Sequence, residues 1–173
     1  MARPEVARFL KSVAVRPEFA DPRRAEEGAR WREVVHGKFR VRYDATRWYR
    51  DPADREPGVF NFLRVDQQAA AQLNAEPEPL AGGASMGDAV LQTARENAES
   101  VVVRRTGKKT RGSVVVDEIE YTARVEGVTY VNHGYFYSGP AGAVQLRAWS
   151  PDKTYVPVSG DIEELLAGLS ITP

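Results

Sequence analysis

The chain has 173 residues, of which 24 are basic and 24 acidic, so it is electrically balanced at neutral pH. That balance argues against a nucleic-acid binder, because neutralising phosphates needs a basic excess. With no cysteine, disulfides, thiolate metal sites and cysteine-borne lipids are excluded, while the length and the 42% hydrophobic content fit one soluble globular domain with a full core.

Val6, Phe9, Leu10 and Val13 recur at helical spacing around Arg8 and Lys11, and Pro17 closes the segment, which predicts a short amphipathic helix. Lys11 interrupts the apolar residues and no small-residue cleavage site follows, so the segment does not read as a secretory leader, and no later stretch is long and apolar enough to span a bilayer. The expected location is therefore cytoplasmic, or extracytoplasmic if a leader has been removed. A second helix is expected in "DPRRAEEGARWREVV", with Asp21 as cap and Pro22 at the first helical position. Residues 1–30 thus read as an N-terminal helical extension, and 31–173 as a single α/β domain.

From Lys38 the period changes to two. Phe39, Val41 and Tyr43 alternate with charged residues in a half-buried strand, and "VFNFLRV" at 59–65 gives another after the proline-rich loop at 50–58. "AAAQLNAEPEP" reads as a strand paired with the one before it. Ser85 with Asp88 three residues later caps a helix whose apolar face is Met86, Val90, Leu91 and Ala94. Long strands follow. The basic run Arg104 to Arg111 reads as a turn between the first two, and the next places Val115, Ile119, Tyr121, Ala123 and Val125 on one face with Glu118, Glu120, Thr122 and Arg124 on the other. "AVQLRAW" carries Val144, Leu146 and Ala148 inward and Gln145, Arg147 and Trp149 outward, and a last helix begins at Ser159 with Ile162, Leu165, Leu166 and Leu169 as its apolar stripe.

The glycine-rich knot in "YFYSGPAGAVQLRAW" needs a decision, since it is either a phosphate cradle or a turn. A cradle requires a helix N-terminus after the glycines, and the residues after Gly142 have strand period instead. "SGPAGA" is therefore expected to be a hairpin turn, with Gly139 and Gly142 at positive φ and Pro140 fixing the bend.

Candidate chemistry is sparse. His36 and His133 lie in unlike contexts without ligand spacing, so no metal site is expected. Asp117, Glu118 and Glu120 sit where they meet His133 on the next strand, yet a charge ladder with Arg40, Arg42, Arg124 and Arg147 explains the same residues without catalysis. Nor is there a G-x-S-x-G elbow. In "VTYVNHGYFY" both faces carry aromatics, Val131, His133, Tyr135 and Tyr137 on one and Tyr130, Asn132 and Phe136 on the other, which is how a strand covered on both sides reads. Trp149 either packs under a covering helix or marks a recognition surface.

A first strand like "FRVRYDATRW", a capped helix, long meandering strands ending in "YFYSGPAGAVQLRAWSP" and a closing "DIEELLAGL" resemble the PsbP-like family, which also includes the Ran-binding Mog protein and bacterial domains of unknown function. The resemblance covers about residues 31 to 170. It rests most on the hairpin from Gly139 to Gln145 and the helix from Ile162 to Leu169. It implies an α+β fold, an antiparallel β-sheet meander flanked by helices in an α/β/α sandwich. It also implies a non-enzymatic domain that docks on other proteins, as in a related branch of bacterial chaperones for secreted toxins.

The expected function is therefore a non-catalytic protein-binding module, its partner another protein or its own copy, with no catalytic, cofactor-binding or metal residues, no nucleic acid and no membrane insertion. Trp149, Arg147, Tyr135, Tyr137, Phe9 and Leu10 are its candidate interaction surface. The alternative is a small-molecule pocket protein or enzyme, on a cone-shaped sheet closed by the N-terminal helices, with Tyr135, His133 and Glu118 converging on an apolar pocket. The stripe at Val6 to Val13 is too short to be stable alone, so it docks on its own sheet or on a partner.

Overall fold

A computed structural model describes residues 30–173. The helices expected in the N-terminal extension, and with them Phe9 and Leu10, lie outside the described residues, except that the second was read through Val35. There the structure has a strand instead. The elements are β1 (Trp31–His36), β2 (Phe39–Asp44), β3 (Trp48–Arg50), β4 (Val59–Arg64), β5 (Ala70–Glu76), a 3-10 turn (Ala81–Gly83), α1 (Met86–Asn97), β6 (Ser100–Arg111), β7 (Val114–Val125), β8 (Val128–Gly139), β9 (Gly142–Pro151), α2 (Asp152–Ala167) and β10 (Leu169–Ile171).

The strands form a three-stranded sheet in the order β1-β2-β10 and a seven-stranded sheet in the order β3-β4-β5-β9-β8-β7-β6, with antiparallel pairing throughout. On one face of the large sheet, Leu73, Val116, Val131, Val144, Leu146 and Ala148 pack against α2 and the small sheet. Tyr43 of β2 meets Phe62 of β4 edge to face at 5.1 Å between ring centres. Each such fully buried side chain contributes on the order of 2 kcal/mol through loss of apolar surface from water. On the opposite face, α1 lays Val90, Leu91 and Ala94 on Ile119, Tyr121, Ala123 and Phe136 of β7 and β8. The expected antiparallel sheet flanked by helices is therefore the observed architecture.

Local chemistry explains where the elements start and stop. Ser85 caps α1 as expected, its Oγ accepting the Asp88 N–H at 3.2 Å. The knot is a hairpin: Gly139 pairs with Gly142 and leaves Pro140 and Ala141 as the turn. Gly142 has φ of 114° and a side chain there would strike the Glu76 carbonyl, so glycine is required. Gly139, by contrast, does not adopt a positive φ. Its hydrogen leaves room for Tyr137, whose Oη would lie 2.6 Å from a Cβ and which accepts the Ala141 N–H.

Three expectations need correction here. α2 begins at Asp152 rather than at Ser159 and runs through Pro157, because Tyr155 and Val158 already bury the first turns against the sheet. Ser159 is inside the helix and donates to the Val156 carbonyl. Arg104 to Arg111 is not a turn but most of β6, the outermost strand of the large sheet, where charge discourages pairing with another chain. Val115 does not share the packed face in effect, being exposed, while Val116 on the other side is fully buried.

Candidate functional site

The acidic and histidine set does assemble, on the face of the large sheet that carries α2. Register places Glu118 opposite Tyr135 and Glu120 opposite His133, with Arg105 of β6 opposite Glu120 and Gly107 opposite Glu118. The register of β6 shifts between Val103 and Arg105, so one extra residue turns Arg105 toward Glu120. Gly107 gives the Glu118 carboxylate room, since a Cβ there would stand 3.2 Å from Oε2.

Glu118 Oε1 lies 2.9 Å from His133 Nε2, with Arg105 at 3.5 Å and Lys109 at 3.6 Å from its oxygens. Arg105 also reaches Glu120 at 3.6 Å, and Tyr155 of α2 donates its hydroxyl to Glu120 at 3.0 Å. Burial alone would raise the pKa of Glu118. The hydrogen bond from His133, with the charges of Arg105, His133 and Lys109, more than offsets this and holds the carboxyl below its usual value. Burial, then the charge and hydrogen bond of Glu120, push the Tyr155 phenol well above its ordinary range. Tyr155 is thus a neutral donor.

With Glu118 ionised, the hydrogen on His133 Nε2 points at the carboxylate, and Arg105, itself only a donor, is held by the two glutamates rather than by the ring. Nδ1 is the other ring nitrogen. It is buried without a hydrogen-bond partner in a side chain that is 0% exposed. A general base must reach the proton that it abstracts, and this one is sealed. The set is a charge-compensated knot in which Arg105 and Lys109 are the most exposed members and Glu118 and His133 are buried.

Asp117 stands apart, on the opposite face with Lys108 at 2.7 Å. The cations expected for the ladder are also elsewhere: Arg40 pairs with Glu33, Arg124 with Glu99, Arg42 lies over Trp31, and Arg147 donates to the Tyr121 hydroxyl. Their places are taken by Arg105 and Lys109, from a run read as a turn. His36 packs its ring edge to Phe60.

Of the candidate interaction residues, Trp149, Arg147 and Tyr135 are buried. Trp149 and Arg147 are each 3% exposed and Tyr135 is 4%, on the central strands β9 and β8; Tyr137 is half-buried. Arg147 stacks on Trp149 at 4.9 Å, and Arg111 lies over the Tyr135 ring at 4.6 Å while donating to its hydroxyl.

An open groove of about 530 Å³ lies elsewhere, between the outer face of β1 and β2, the β6–β7 hairpin tip and the C-terminal end of α2. Its lining includes Trp31, Arg40, Arg42, Arg111, Glu33 and Glu164. Trp31 is 36% exposed, with the guanidinium of Arg42 4.6 Å and that of Arg30 5.3 Å from its ring. Sequence reasoning missed this groove because "WREVV" was given to a helix. The signal was the alternation of Trp31, Glu33 and Val35 ahead of His36-Gly37-Lys38-Phe39, in which Gly37 at φ 57° opens a two-residue hairpin turn. Among the described residues no group of His, Asp and Glu is arranged to hold a metal ion, and no helix is long and apolar enough to cross a membrane.

No family model matches the chain, and no curated protein does. Solved structures do. The cyanobacterial PsbP (CyanoP) of Synechocystis sp. PCC 6803 superposes with a TM-score of 0.59 at 10% identity, over 85% of this chain and 96% of that one. PA94, a Pseudomonas aeruginosa protein of unknown function, gives 0.52 at 10% identity over 84% and 99%. A protein from Bacteroides thetaiotaomicron gives 0.55 at 14% identity over 84% of this chain, which spans 50% of that protein's length. Identities this low speak for the fold alone. The two antiparallel sheets, the helix on each face of the larger one and the superposition on CyanoP together establish that the chain has the PsbP-like fold.

Proposed function

We propose that this chain is a non-catalytic protein-binding domain that holds an acidic segment of a partner protein in the groove at Trp31. The observation that carries the reading is the half-exposed indole between two guanidinium groups, in a groove with three arginines against two glutamates. Tryptophan and arginine are the residue types that dominate binding energy at protein interfaces, and the charge excess favours a partner that brings carboxylates. One of the two glutamates, Glu33, already faces Arg40 at 3.6 Å, which leaves Arg42, stacked on Trp31, as the cation offered to a partner's carboxylate, while Arg111 at the groove's edge donates to the buried Tyr135 hydroxyl. The sealed Nδ1 of His133 weighs against the enzyme reading, in which Tyr135, His133 and Glu118 would line a pocket; none of the three lines this groove.

The test is selection from a displayed library of random peptides, run in parallel on the native chain and on Trp31→Ala and Arg42→Glu. Enrichment of peptides rich in Asp and Glu by the native chain, lost with both variants, is the expected result. Enrichment that ignores peptide charge, or that survives both substitutions, overturns the proposal.

A further inference from the structure

The groove at Trp31 has a negative side as well as its arginines. Of its five charged side chains, Arg40 and Glu33 answer each other at 3.6 Å, and Arg111 is engaged by the Tyr135 hydroxyl and the Thr110 carbonyl. Two charges are left over: Arg42, which lies on the Trp31 ring, and Glu164, on the α2 side of the groove. They do not pair with each other, for among the described residues the one cation within 4.0 Å of Glu164 is Arg47, which also serves Asp161 and Asp44. Glu164 stands where local chemistry disfavours it. The carbonyl end of a helix carries partial negative charge and calls for a cation in its last turn. α2 has none there: its only cation, Lys153, is at the opposite end, while Ala167 and Gly168 bring the carbonyl end itself into the groove. With its side chain 41% exposed, Glu164 adds a full negative charge to that partial one.

We infer that the partner segment carries both signs of charge: besides the carboxylate that meets Arg42, it brings a lysine or arginine that meets Glu164 and the carbonyl end of α2. The inference rests on the acidic-segment reading of the groove and adds a second, opposite requirement to it. The spacing follows from the fold. The Arg42 N–H donates to the Gly168 carbonyl at 3.0 Å, so β2 passes the tip of α2, and Glu164 is four residues back along the helix, about 6 Å. In an extended chain, side chains two residues apart share a face and are about 6.6 Å from each other. The two charges of the partner are therefore two residues apart, on the face turned to the groove, and the residue between them points away. Such a groove rejects uniformly acidic segments, because their second carboxylate would face Glu164.

The displayed peptide library tests this when it is read by position, on the native chain and on Glu164→Gln and Glu164→Arg. Around the enriched Asp or Glu, the native chain is expected to select Lys or Arg two residues away, about threefold or more above the input frequency. Glu164→Gln is expected to lose that selection, and Glu164→Arg to invert it to Asp or Glu at the same position. Acidic peptides that depend on Trp31 and Arg42 but carry no basic residue at that position overturn the inference and leave the acidic-segment reading standing. A basic position that persists unchanged in both Glu164 variants overturns it too. Peptides selected without any charge preference overturn the reading of the groove and this inference with it. In a second measurement, the basic residue of one selected peptide is replaced by serine. Binding to the native chain is expected to weaken about threefold, and binding to the Glu164→Arg chain to strengthen. Equal weakening with both chains means that the basic residue is not read by Glu164, which overturns the inference.

Discussion

Asp161 and Glu118 are both carboxylates in the interior, 6% and 5% exposed, and they are held in different ways. Asp161 projects from α2 and takes its partners from the edge of the large sheet: Arg64 Nε and Nη2 at 2.8 and 2.7 Å, and Arg47 close by on its other oxygen. Arg64 is itself mostly buried, and the arrangement staples the helix to β4 and to the turn before β3. Glu118 has one short partner, His133, and two cations at 3.5 to 3.6 Å whose side chains are 47% and 42% exposed. The difference lies in where the positive charge goes when the carboxylate is lost. Around Asp161 the mostly buried Arg64 is left with Asp66 alone, while the half-exposed Arg47 keeps Asp44 and Glu164; around Glu118 both cations can turn to water.

That contrast orders the substitutions. Asp161→Ala is expected to cost about 3 kcal/mol, because it leaves the mostly buried Arg64 guanidinium with Asp66 as its remaining carboxylate, and urea unfolding of the purified chain measures it. A loss smaller than that of Glu118→Gln would break the comparison. Glu118→Gln should cost about 1 to 3 kcal/mol, from a buried hydrogen bond made less favourable while Arg105 and Lys109 rehydrate. The pH dependence of this second loss sharpens the assignment. Because the folded carboxyl lies below its unfolded value, Glu118 contributes stability fully above the unfolded value of about 4.3 and loses it as pH falls through the folded value. The gap between native and Glu118→Gln chains, taken from urea midpoints, should therefore narrow on acidification from pH 6 to below about 4. A gap independent of pH would mean that the carboxylate charge does nothing there. Smallest is Lys108→Ala, on the exposed pair with Asp117, expected to stay within about 0.5 kcal/mol. A larger effect would show that the outer strand is held by its charges and not by its backbone ladder.

Much of this architecture was legible in the chain, for a stated physical reason at each place. The strands from Lys38 onward and α1 announce themselves because one face is buried and the other is not, as with Phe39, Val41 and Tyr43 on β2. Where both sides or neither side is buried, alternation loses its meaning. β9 is buried along nearly its whole length, so Gln145, Arg147 and Trp149 read as outward when they are under cover. β1 and β6 fail for the opposite reason. They are outermost strands with little buried surface, and their charges mimic a helix in one case and a turn in the other. The Glu118 and His133 pairing was foreseeable from period two, but its cations were not, because the register shift at Arg104 reverses which residues of β6 face them. Trp31 was hidden by the same weakness of an edge.

That register shift also governs how the domain meets copies of itself. Among the described strands β6 is the longest at the border of a sheet, and Val102 and Val103 on it are exposed, which is the profile of a strand that invites another to add on. A strand laid along it, however, can follow the pleat from Ser100 to Val103 or from Arg105 to Arg111, and not both, since the two stretches are out of phase. The first is too short to hold a partner strand, and the second carries Arg105, Lys108, Lys109 and Arg111, which repel their own counterparts in another copy. A single extra residue thus makes this border a poor template for polymerisation.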